Sequence, residues 1–340
     1  MRKDGSFPID VAIVAVRETA GAALYGLVDV LCATGRIWQN LVNDAPLPAR
    51  FRVRIVSAQA EPFTCVPGIP VTPHAAVDDD PAARIVILPE LRLGPDEPLQ
   101  GRYPAVIEWI KRRYEAGAAL YSACSGSVML AEAGLLDGRA ATSHWGYRDL
   151  FARWYPQVRF DPQPNLVFAE PRRRIVTAAG ATSWHDLAIH IVSRHVSPAE
   201  AMRIAKVYLL KWHGEGQLPY AALVRNVPHS DAVVQTCERW LARHFREDNV
   251  VARVVAVAKI PERTLKRRFK AATGCTPMEY VQNLRVEEAK RLLETGGLAV
   301  DEISYAVGYE DASFFRRVFR RCTGLAPSEY RRLFRPLAQA

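Results

Sequence analysis

The sequence predicts an α/β domain with a mainly parallel sheet flanked by helices, followed by an all-α domain that contains two helix-turn-helix units. Short apolar runs alternate with helical stretches over the first two hundred residues, a pattern typical of such a sheet. Periodicity is lost over residues 211–229, where Gly214, Gly216, Pro219 and Pro228 gather. Beyond that segment nearly every stretch has a helical pattern, and one helical unit occurs twice.

The α/β domain is predicted from its apolar runs. Strands are expected over residues 10–16, 51–58, 84–89, 118–123 and 173–179. Helices are expected over residues 20–34, 103–116, 126–134, 184–195 and 198–210. Strands and helices that alternate in this way favour a flavodoxin-like arrangement. We assign residues 1–210 to this domain, 211–229 to a linker and 230–335 to the helical domain.

The helical domain carries one short pattern twice. Its helices are predicted over residues 231–246, 250–258, 262–272, 277–293, 300–306, 312–322 and 327–334. Residues 264–280, TLKRRFKAATGCTPMEY, and residues 314–330, FFRRVFRRCTGLAPSEY, share arginine, phenylalanine, threonine, glycine, proline, glutamate and tyrosine at matching places. A unit this short cannot bury a core alone, so the two copies are expected to pack as sister subdomains.

Composition and charge limit the possible functions. The chain has 340 residues, 49% of them apolar and 24% charged, which is ordinary for a globular protein. Its apolar N-terminal run is too short for a signal segment or a membrane span, so we expect a cytoplasmic protein without membrane contact. The six cysteines show no CxxC spacing, so we expect reduced thiols, no disulfide, and no metal or cofactor site.

The positive charge is concentrated in the last quarter of the chain. Residues 251–340 hold 17 Lys and Arg against 10 Asp and Glu, out of a net charge of +9 for the whole chain. In each copy two apolar side chains four residues apart face inward, Leu265 with Phe269 and Phe315 with Phe319, which leaves a basic outer face. A second helix with a cationic face is what a helix-turn-helix places in the major groove. A merely solvated basic face is the alternative, and its duplication argues against that.

Residues 231–335 resemble an AraC-type DNA-binding domain, including GYEDASFFRRVFRRCTGLAPSEYR at 308–331. The resemblance implies base contacts from residues early in each recognition helix. The matching residues are Arg263, Lys266, Arg267, Ser313, Arg316 and Arg317. Because Arg and Lys suit the O6 and N7 atoms of guanine, a G-containing half-site is a hypothesis.

The first copy departs from the AraC-type pattern at two positions. Members usually carry glycine in the first turn, where this chain has Lys259, and a lysine at positive φ costs about 1 kcal/mol. The usual serine cap is replaced by Pro261, while Asp311 is expected to cap the corresponding helix of the second copy. The first unit is therefore expected to be less firmly held than the second.

A cysteine in the α/β domain stands where a reactive group is often placed. Cys124 follows an apolar strand and precedes a helix rich in small residues, so a strand-to-helix turn is expected to present its thiol. His144 follows twenty residues later. Such a pair is able to act as nucleophile and base, and the alternatives are a ligand contact and a packed, unreactive thiol, both of which we prefer to catalysis.

Residues 10–210 resemble the PfpI-like branch of the class I glutamine amidotransferase-like superfamily. The glutamate that commonly supports the cysteine in that branch matches Ala23 here, and Ser125 stands where many of these enzymes have histidine. Without that acid no catalytic residue is expected, and the cavity is expected to bind a ligand. The candidate ligand-binding residues are Cys124, Ser125, His144, Trp145 and Trp184, with a packed core role open for each.

Together the two halves resemble GlxA-family transcriptional regulators, through AEAGLLDGRAATSHW (131–145) and AGATSWHDLAIHIV (179–192). This implies a bacterial regulator, with activation as the preferred mode, that binds promoter DNA as a homodimer and responds to a small-molecule effector. An activator would also contact RNA polymerase. The alternatives are a cysteine-dependent hydrolase or lyase with secondary DNA binding, and a nucleoid protein without sequence preference.

Overall fold

The structure is a computed structural model that describes residues 8–224 and 229–339. The chain forms two compact units, one extending to Gln217 and the other beginning at Leu218. The strands of the first unit are β1 (Ile9–Val14), β2 (Phe51–Ser57), β3 (Phe63–Cys65), β4 (Ile69–Val71), β5 (Ala75–Ala76), β6 (Ile85–Leu88), β7 (Ala119–Ala123), β8 (Ala140–Ala141), β9 (Arg159–Phe160), β10 (Leu166–Phe168) and β11 (Ile175–Ala178). Its helices are α1 (Gly21–Ala33), α2 (Ile37–Leu41), α3 (Pro104–Glu115), α4 (Ser127–Glu132), α5 (Arg148–Trp154), α6 (Trp184–His195) and α7 (Pro198–Val207).

Among the described residues, seven strands of the first unit form one sheet in the order β10-β11-β7-β6-β1-β2-β5. Neighbouring strands are parallel except β10, which runs antiparallel to β11 at one edge. The four residues of β6 are all buried, as expected for a central strand that is covered on both faces. One face packs on α3, α4 and α5 and the other on α1, α6 and α7. The predicted α/β fold class is confirmed.

Several short elements were not predicted. The β3–β4 hairpin, the β8–β9 pair and α5 have between two and seven residues each, too few for a periodic signal. The helix expected over residues 126–134 is a 3₁₀ turn, Cys124–Gly126, followed by α4. The helix expected to reach residue 210 ends at Val207.

The second unit is helical throughout its described elements, apart from its connecting turns. Its helices are α8 (Ala232–His244), α9 (Val250–Ala258), α10 (Glu262–Thr273), α11 (Pro277–Thr295), α12 (Val300–Ala306), α13 (Ala312–Thr323) and α14 (Pro327–Gln339). They form two cores, one against the N-terminal part of the long helix α11 and the other against its C-terminal part. The predicted all-α class with a repeated helical unit is confirmed.

The two cores are built on matching aromatic pairs. The rings of Phe269 and Tyr280 meet edge to face with centroids 5.3 Å apart. The rings of Phe319 and Tyr330, at the corresponding positions of the second copy, meet in the same way at 5.5 Å. Such edge-to-face pairs add to the stabilisation that burial provides. The repeated residues therefore specify one core arrangement twice.

The segment predicted as a linker packs on both units. His213 and Gln217 hydrogen-bond within the first unit. In the second unit the Leu223 amide donates to the Glu287 carboxylate at 2.7 Å, and the Ala221 carbonyl accepts from Lys290 at 2.8 Å. Residues 225–228 lie outside the described residues. Most of the predicted linker thus belongs to one unit or the other.

The ends of the first helices of the two repeats differ in backbone strain, and this difference is testable. Lys259 has φ +53° after α9, whereas Gly308 has φ +92° after α12, where a Cβ would lie 2.5 Å from the Arg246 carbonyl oxygen. We expect Lys259→Gly to raise the free energy of unfolding of the isolated unit 218–340 by up to about 1 kcal/mol. Gly308→Ala should lower it by about 1–3 kcal/mol.

Urea unfolding followed by far-ultraviolet circular dichroism measures both changes. Ala256→Gly, in the body of α9, is the control, because a mid-helix glycine should destabilise while Lys259→Gly stabilises. Equal losses at residues 256 and 259 would contradict strain at Lys259.

Candidate DNA-binding surface and ligand site

The predicted DNA-binding residues lie on the exposed faces of α10 and α13. Arg263, Lys266 and Arg267 are exposed on α10, opposite the buried Leu265 and Phe269. The second copy has the same division, and its exposed candidates on α13 are Ser313, Arg316 and Arg317. The helical spacing of three to four residues places each set on one face. The structure thus brings together the residues of each predicted set.

Intramolecular partners differ among these basic side chains. Within the described ranges, Arg263 and Arg267 have neither a hydrogen bond nor an ion pair, so both guanidinium groups are available to phosphate or base. Lys266 pairs with Glu262 at 2.6 Å, and Arg316 pairs with Asp301. The guanidinium carbon of Arg317 lies 5.6 Å from the centroid of the exposed Phe314 ring. Both ion pairs are exposed and therefore weak enough to yield to DNA phosphates.

The two candidate recognition helices begin differently. The Asp311 carboxylate accepts hydrogen bonds from the amides of Ser313 at 2.7 Å and Phe314 at 3.1 Å, as expected for an N-cap. Pro261 precedes α10 without a side-chain cap. Instead, Arg268 of α10 makes two hydrogen bonds to Asp231, of 2.8 and 2.6 Å, and this pairing lowers the pKa of Asp231 to about 2. An ion pair to α8 therefore holds α10.

Cys124 lies in the tight turn between β7 and α4. Its φ is +53°, a left-handed conformation in the 3₁₀ turn that precedes the helix. Its carbonyl accepts the hydroxyl groups of Ser127 at 2.9 Å and Ser143 at 2.8 Å. Gly126 is required here, because a Cβ would lie 2.1 Å from the Leu88 carbonyl oxygen. The hydrogen bonds to the Cys124 carbonyl and the close approach of Gly126 to β6 together fix the turn.

Ser125 is part of the support of this turn. Its side chain is fully buried, and its hydroxyl accepts from the Leu91 amide at 2.8 Å while donating to the Leu91 carbonyl. Both bonds join the Cys124 turn to the segment that follows β6. A ligand contact by Ser125 would come in addition to this structural role.

The Cys124 thiol is buried and protonated. Only 3% of the residue is exposed, and burial, with a further contribution from the Glu90 charge, raises the pKa of the thiol to about 12. His144 is half-buried, which lowers its pKa, and its Nδ1 atom accepts from the Gly146 amide at 3.0 Å. This bond leaves the proton of the neutral ring on Nε2. The two residues therefore offer a neutral imidazole and a buried thiol, and no thiolate.

Sequence reasoning missed Glu90. It lies two residues after the end of β6, its carboxylate is largely buried, and burial raises its pKa. Its charge reaches Cys124 and Tyr147. No motif marks this residue, although its place after a buried strand in the parallel sheet is where polar ligand-binding groups gather.

The two predicted tryptophans have different surroundings. The Trp145 ring lies against that of His144, with centroids 4.8 Å apart. The Trp184 ring packs on Gly26 of α1, where a Cβ would lie 2.4 Å from it, and on the His185 ring at 4.0 Å. The structure therefore groups Trp145 with His144 and Cys124, and gives Trp184 a packing contact with α1.

Gln217 joins this group from the end of the first unit. It is 4% exposed, and its amide nitrogen donates to the Ser143 carbonyl at 2.7 Å and to the Thr142 hydroxyl at 3.2 Å. Its amide oxygen accepts from the Trp145 backbone at 2.9 Å. The segment 142–145 and the last residue before the second unit are therefore held together.

The DJ-1/PfpI family model matches residues 14–194, more than half of the chain. The chain belongs to the DJ-1/PfpI family. A second model, described as a helix-turn-helix domain, matches residues 254–333. DJ-1beta of Drosophila melanogaster shares the fold of the DJ-1/PfpI unit, with 14% identity, a TM-score of 0.50, and coverage of 61% of this chain and all of that one.

Curated relatives of this DJ-1/PfpI chain carry names of regulators. The HTH-type transcriptional regulator CdhR of Pseudomonas aeruginosa is 28% identical over 284 residues, 83% of this chain and 82% of its own. The HTH-type transcriptional regulator GlxA of Rhizobium meliloti is 26% identical over 66% of this chain and 68% of its own. The recognition of a GlxA-like architecture, a PfpI-like domain with an AraC-type helix-turn-helix, is confirmed. None of the described helices is long and apolar enough to span a membrane.

The protonation of Cys124 leads to a labelling prediction. With a pKa of about 12, the thiolate fraction at pH 8 is about 10⁻⁴, so iodoacetamide should leave Cys124 unmodified in the folded protein. Cys32 is exposed and should be modified first. Peptide mass spectrometry measures both, and labelling in urea is the control that shows Cys124 to be alkylated once accessible. Modification of both thiols at similar rates would contradict the buried, protonated state.

Proposed function

We propose that this chain is a sequence-specific DNA-binding transcription regulator whose DJ-1/PfpI unit binds a small metabolite. The duplicated basic face on α10 and α13 carries the DNA-binding part of the proposal. Each copy places three candidate contact residues outward while its aromatic pair fixes the helix from within. Two such helices joined by α11 are suited to successive segments of one major groove.

Base contacts are assigned to the exposed residues of both helices. We propose that Arg263, Lys266, Arg267, Arg316 and Arg317 contact guanine edges or phosphates, and that Ser313 contacts a base or a phosphate at the start of α13. Phosphate contacts position the protein and base contacts specify the sequence, so the two roles are separable by measurement.

The metabolite site is assigned to the group around the Cys124 turn. His144 offers Nε2–H, Trp145 offers a ring face, and Glu90 offers a largely buried carboxylate. Cys124 and Ser125 are assigned to the base of the site, and Trp184, whose ring packs on α1, is assigned to its border. The protonated thiol and the Nδ1 atom already bonded to Gly146 favour binding over nucleophilic chemistry, and the relatives' regulator names point the same way.

The proposal includes a homodimer on promoter DNA and, for an activator, contact with RNA polymerase. Both follow from the resemblance to GlxA-family regulators. A cysteine-dependent hydrolase is the rival function, and it requires a Cys124 thiolate.

Genome-wide binding of the tagged protein, followed by a salt-titrated mobility shift, tests the DNA-binding proposal. We expect a preference of roughly 10³-fold or more for one recurring motif over its scrambled version. Arg267→Ala and Arg317→Ala should each cost about 1–3 kcal/mol, at one base position. Arg239→Ala removes one exposed charge from α8 and is the matched control. Equal affinity for motif and scrambled DNA would reject the sequence-specific function.

We further propose that Gln217 couples the metabolite site to the second unit. Residues 143 and 145, which border His144 in the chain, form hydrogen bonds with the Gln217 side chain. Gln217 directly precedes Leu218, where the second unit begins. We consider two states of the protein that differ in the position of residues 142–145. A ligand that binds one state more tightly would change how strongly these residues hold Gln217 at the end of the first unit. Such a ligand acts only through its differential affinity for the two states.

Gln217→Ala should therefore abolish the response to the metabolite and leave DNA binding intact. The metabolite is sought among compounds that the genes beside the binding sites process, and a reporter fused to the best promoter gives the response. Gln157→Ala, an exposed glutamine in the same unit, is the control. DNA affinity of both variants should stay within about 0.5 kcal/mol of the original. A normal metabolite response of Gln217→Ala would reject the coupling.

A further inference from the structure

A cavity of about 300 Å³ lies at the amino ends of the sheet strands, whereas Cys124 follows the carboxyl end of β7. It is formed where β6, β7 and β11 begin and where α6 ends. Its lining residues are Ala83, Arg84, Ala116, Gly117, Ala118, Ala119, Arg174, Arg194 and His195. Ligands of parallel sheets usually bind at the carboxyl ends of the strands, so this cavity at their amino ends is separate from the proposed metabolite site.

Three arginines from three separate segments line this cavity, together with one histidine, and its lining contains no acidic residue. Arg84 precedes β6, Arg174 precedes β11, and Arg194 lies in the last turn of α6. Guanidinium groups stay protonated at any ordinary pH. The lining therefore carries three positive charges that no lining carboxylate balances.

Carboxylates near this cavity balance the three charges only in part. Among the described residues, neither Arg84 nor Arg194 has a carboxylate oxygen within 4.0 Å, and Arg194 donates only to the Arg172 carbonyl, at 3.0 Å. Arg174 is more fully engaged, because its Nε atom lies 3.5 Å from Glu170, its Nη1 atom donates to the Tyr114 carbonyl at 3.0 Å, and its guanidinium carbon lies 4.1 Å from the Tyr114 ring centroid. Donors thus remain on guanidinium groups at the cavity.

His195 adds no counter-charge. Its Nε2 atom shares a hydrogen bond of 2.7 Å with the Tyr121 hydroxyl group. Burial first, and then the charges of Arg194, His190 and Arg84, lower the pKa of His195 to about 4. The ring is therefore neutral at pH 7 and adds no charge to the cavity.

We propose that this cavity binds a small, multiply charged oxyanion of the phosphate or carboxylate type. A guanidinium group offers paired donors that match the oxygen spacing of these anions, and three groups from separate segments surround such an anion. Binding would relieve the repulsion among the three like charges. A cavity of this size lies at the lower end of the range for small-molecule sites, which suits a compact anion. This inference does not rest on DNA binding or on the Cys124 site.

Nuclear magnetic resonance of the full-length protein carrying ¹³C-labelled histidine tests the proposal. Inorganic phosphate is titrated at pH 7 while sodium chloride keeps the ionic strength constant, and His195→Gln assigns the His195 signal. We expect this signal to shift and saturate as phosphate is added. Because His195 lines the cavity, its signal reports this site and not phosphate bound to α10 or α13.

Two charge-removing variants and one control complete the test. Arg84→Gln together with Arg194→Gln should weaken the phosphate-dependent shift at least tenfold, whereas Arg153→Gln, an exposed arginine of α5, should leave it unchanged. Arg84→Gln alone keeps the test valid if the double variant is unstable, because Arg84 makes no side-chain hydrogen bond to the described residues. Citrate replaces phosphate in a parallel titration, and the tighter of the two identifies the type of oxyanion.

Three outcomes would overturn the proposal. The first is a His195 signal that neither phosphate nor citrate shifts, and the second is a shift that sodium chloride alone reproduces as the ionic strength rises. The third is a shift with the same size and midpoint in the original protein and in the variants lacking Arg84. Any of these leaves the proposed regulator function untouched, since the reporter lies outside the Cys124 site and outside α10 and α13.

Discussion

The left-handed backbone at Cys124 is the constraint on which the candidate metabolite site depends. The turn fits between β7 and α4 only because Gly126 lacks a Cβ and approaches the Leu88 carbonyl. In that position the Cys124 carbonyl accepts the Ser143 hydroxyl, which places His144 next to the turn. The same close fit excludes water from the thiol and raises its pKa. The turn therefore holds a buried thiol beside His144, in the site that we propose for the metabolite.

The two helix-turn-helix units conserve the contacts inside the fold and vary at the helix ends. Their aromatic pairs match in residue type and ring spacing, but Lys259 takes the place of a glycine and Pro261 takes the place of a capping side chain. Both substitutions are expected to weaken the first unit locally. The double hydrogen bond between Arg268 and Asp231 offsets this loss, because it fixes α10 to α8 through a partly buried charge pair.

Periodic features of this fold were predictable and isolated contacts were not. The sheet strands β1, β2, β6, β7 and β11 and the helices of the second unit follow from apolar repeats, and the capping role of Asp311 follows from residue type. Glu90 and Gln217 left no pattern, because a single side chain makes its contact only after distant segments meet. Glycine and proline in residues 211–229 predict an interdomain linker, but they do not reveal the hydrogen bonds that hold residues such as Gln217 and Leu223.

The hydrogen bonds of Gln217 have the strength that the proposed coupling requires, and that coupling involves no chemical step at Cys124. Gln217 makes three side-chain hydrogen bonds to residues 142–145, and a typical bond of this kind contributes about 1 kcal/mol. Their combined strength of about 3 kcal/mol lies at the upper end of ordinary coupling free energies between sites. A ligand at His144 that favours one arrangement of this segment therefore needs no larger differential affinity to be felt at the end of the first unit. If the hydrogen bonds of Gln217 were much stronger, ligand binding could not displace residues 142–145. If they were much weaker, that displacement would have little effect on Gln217.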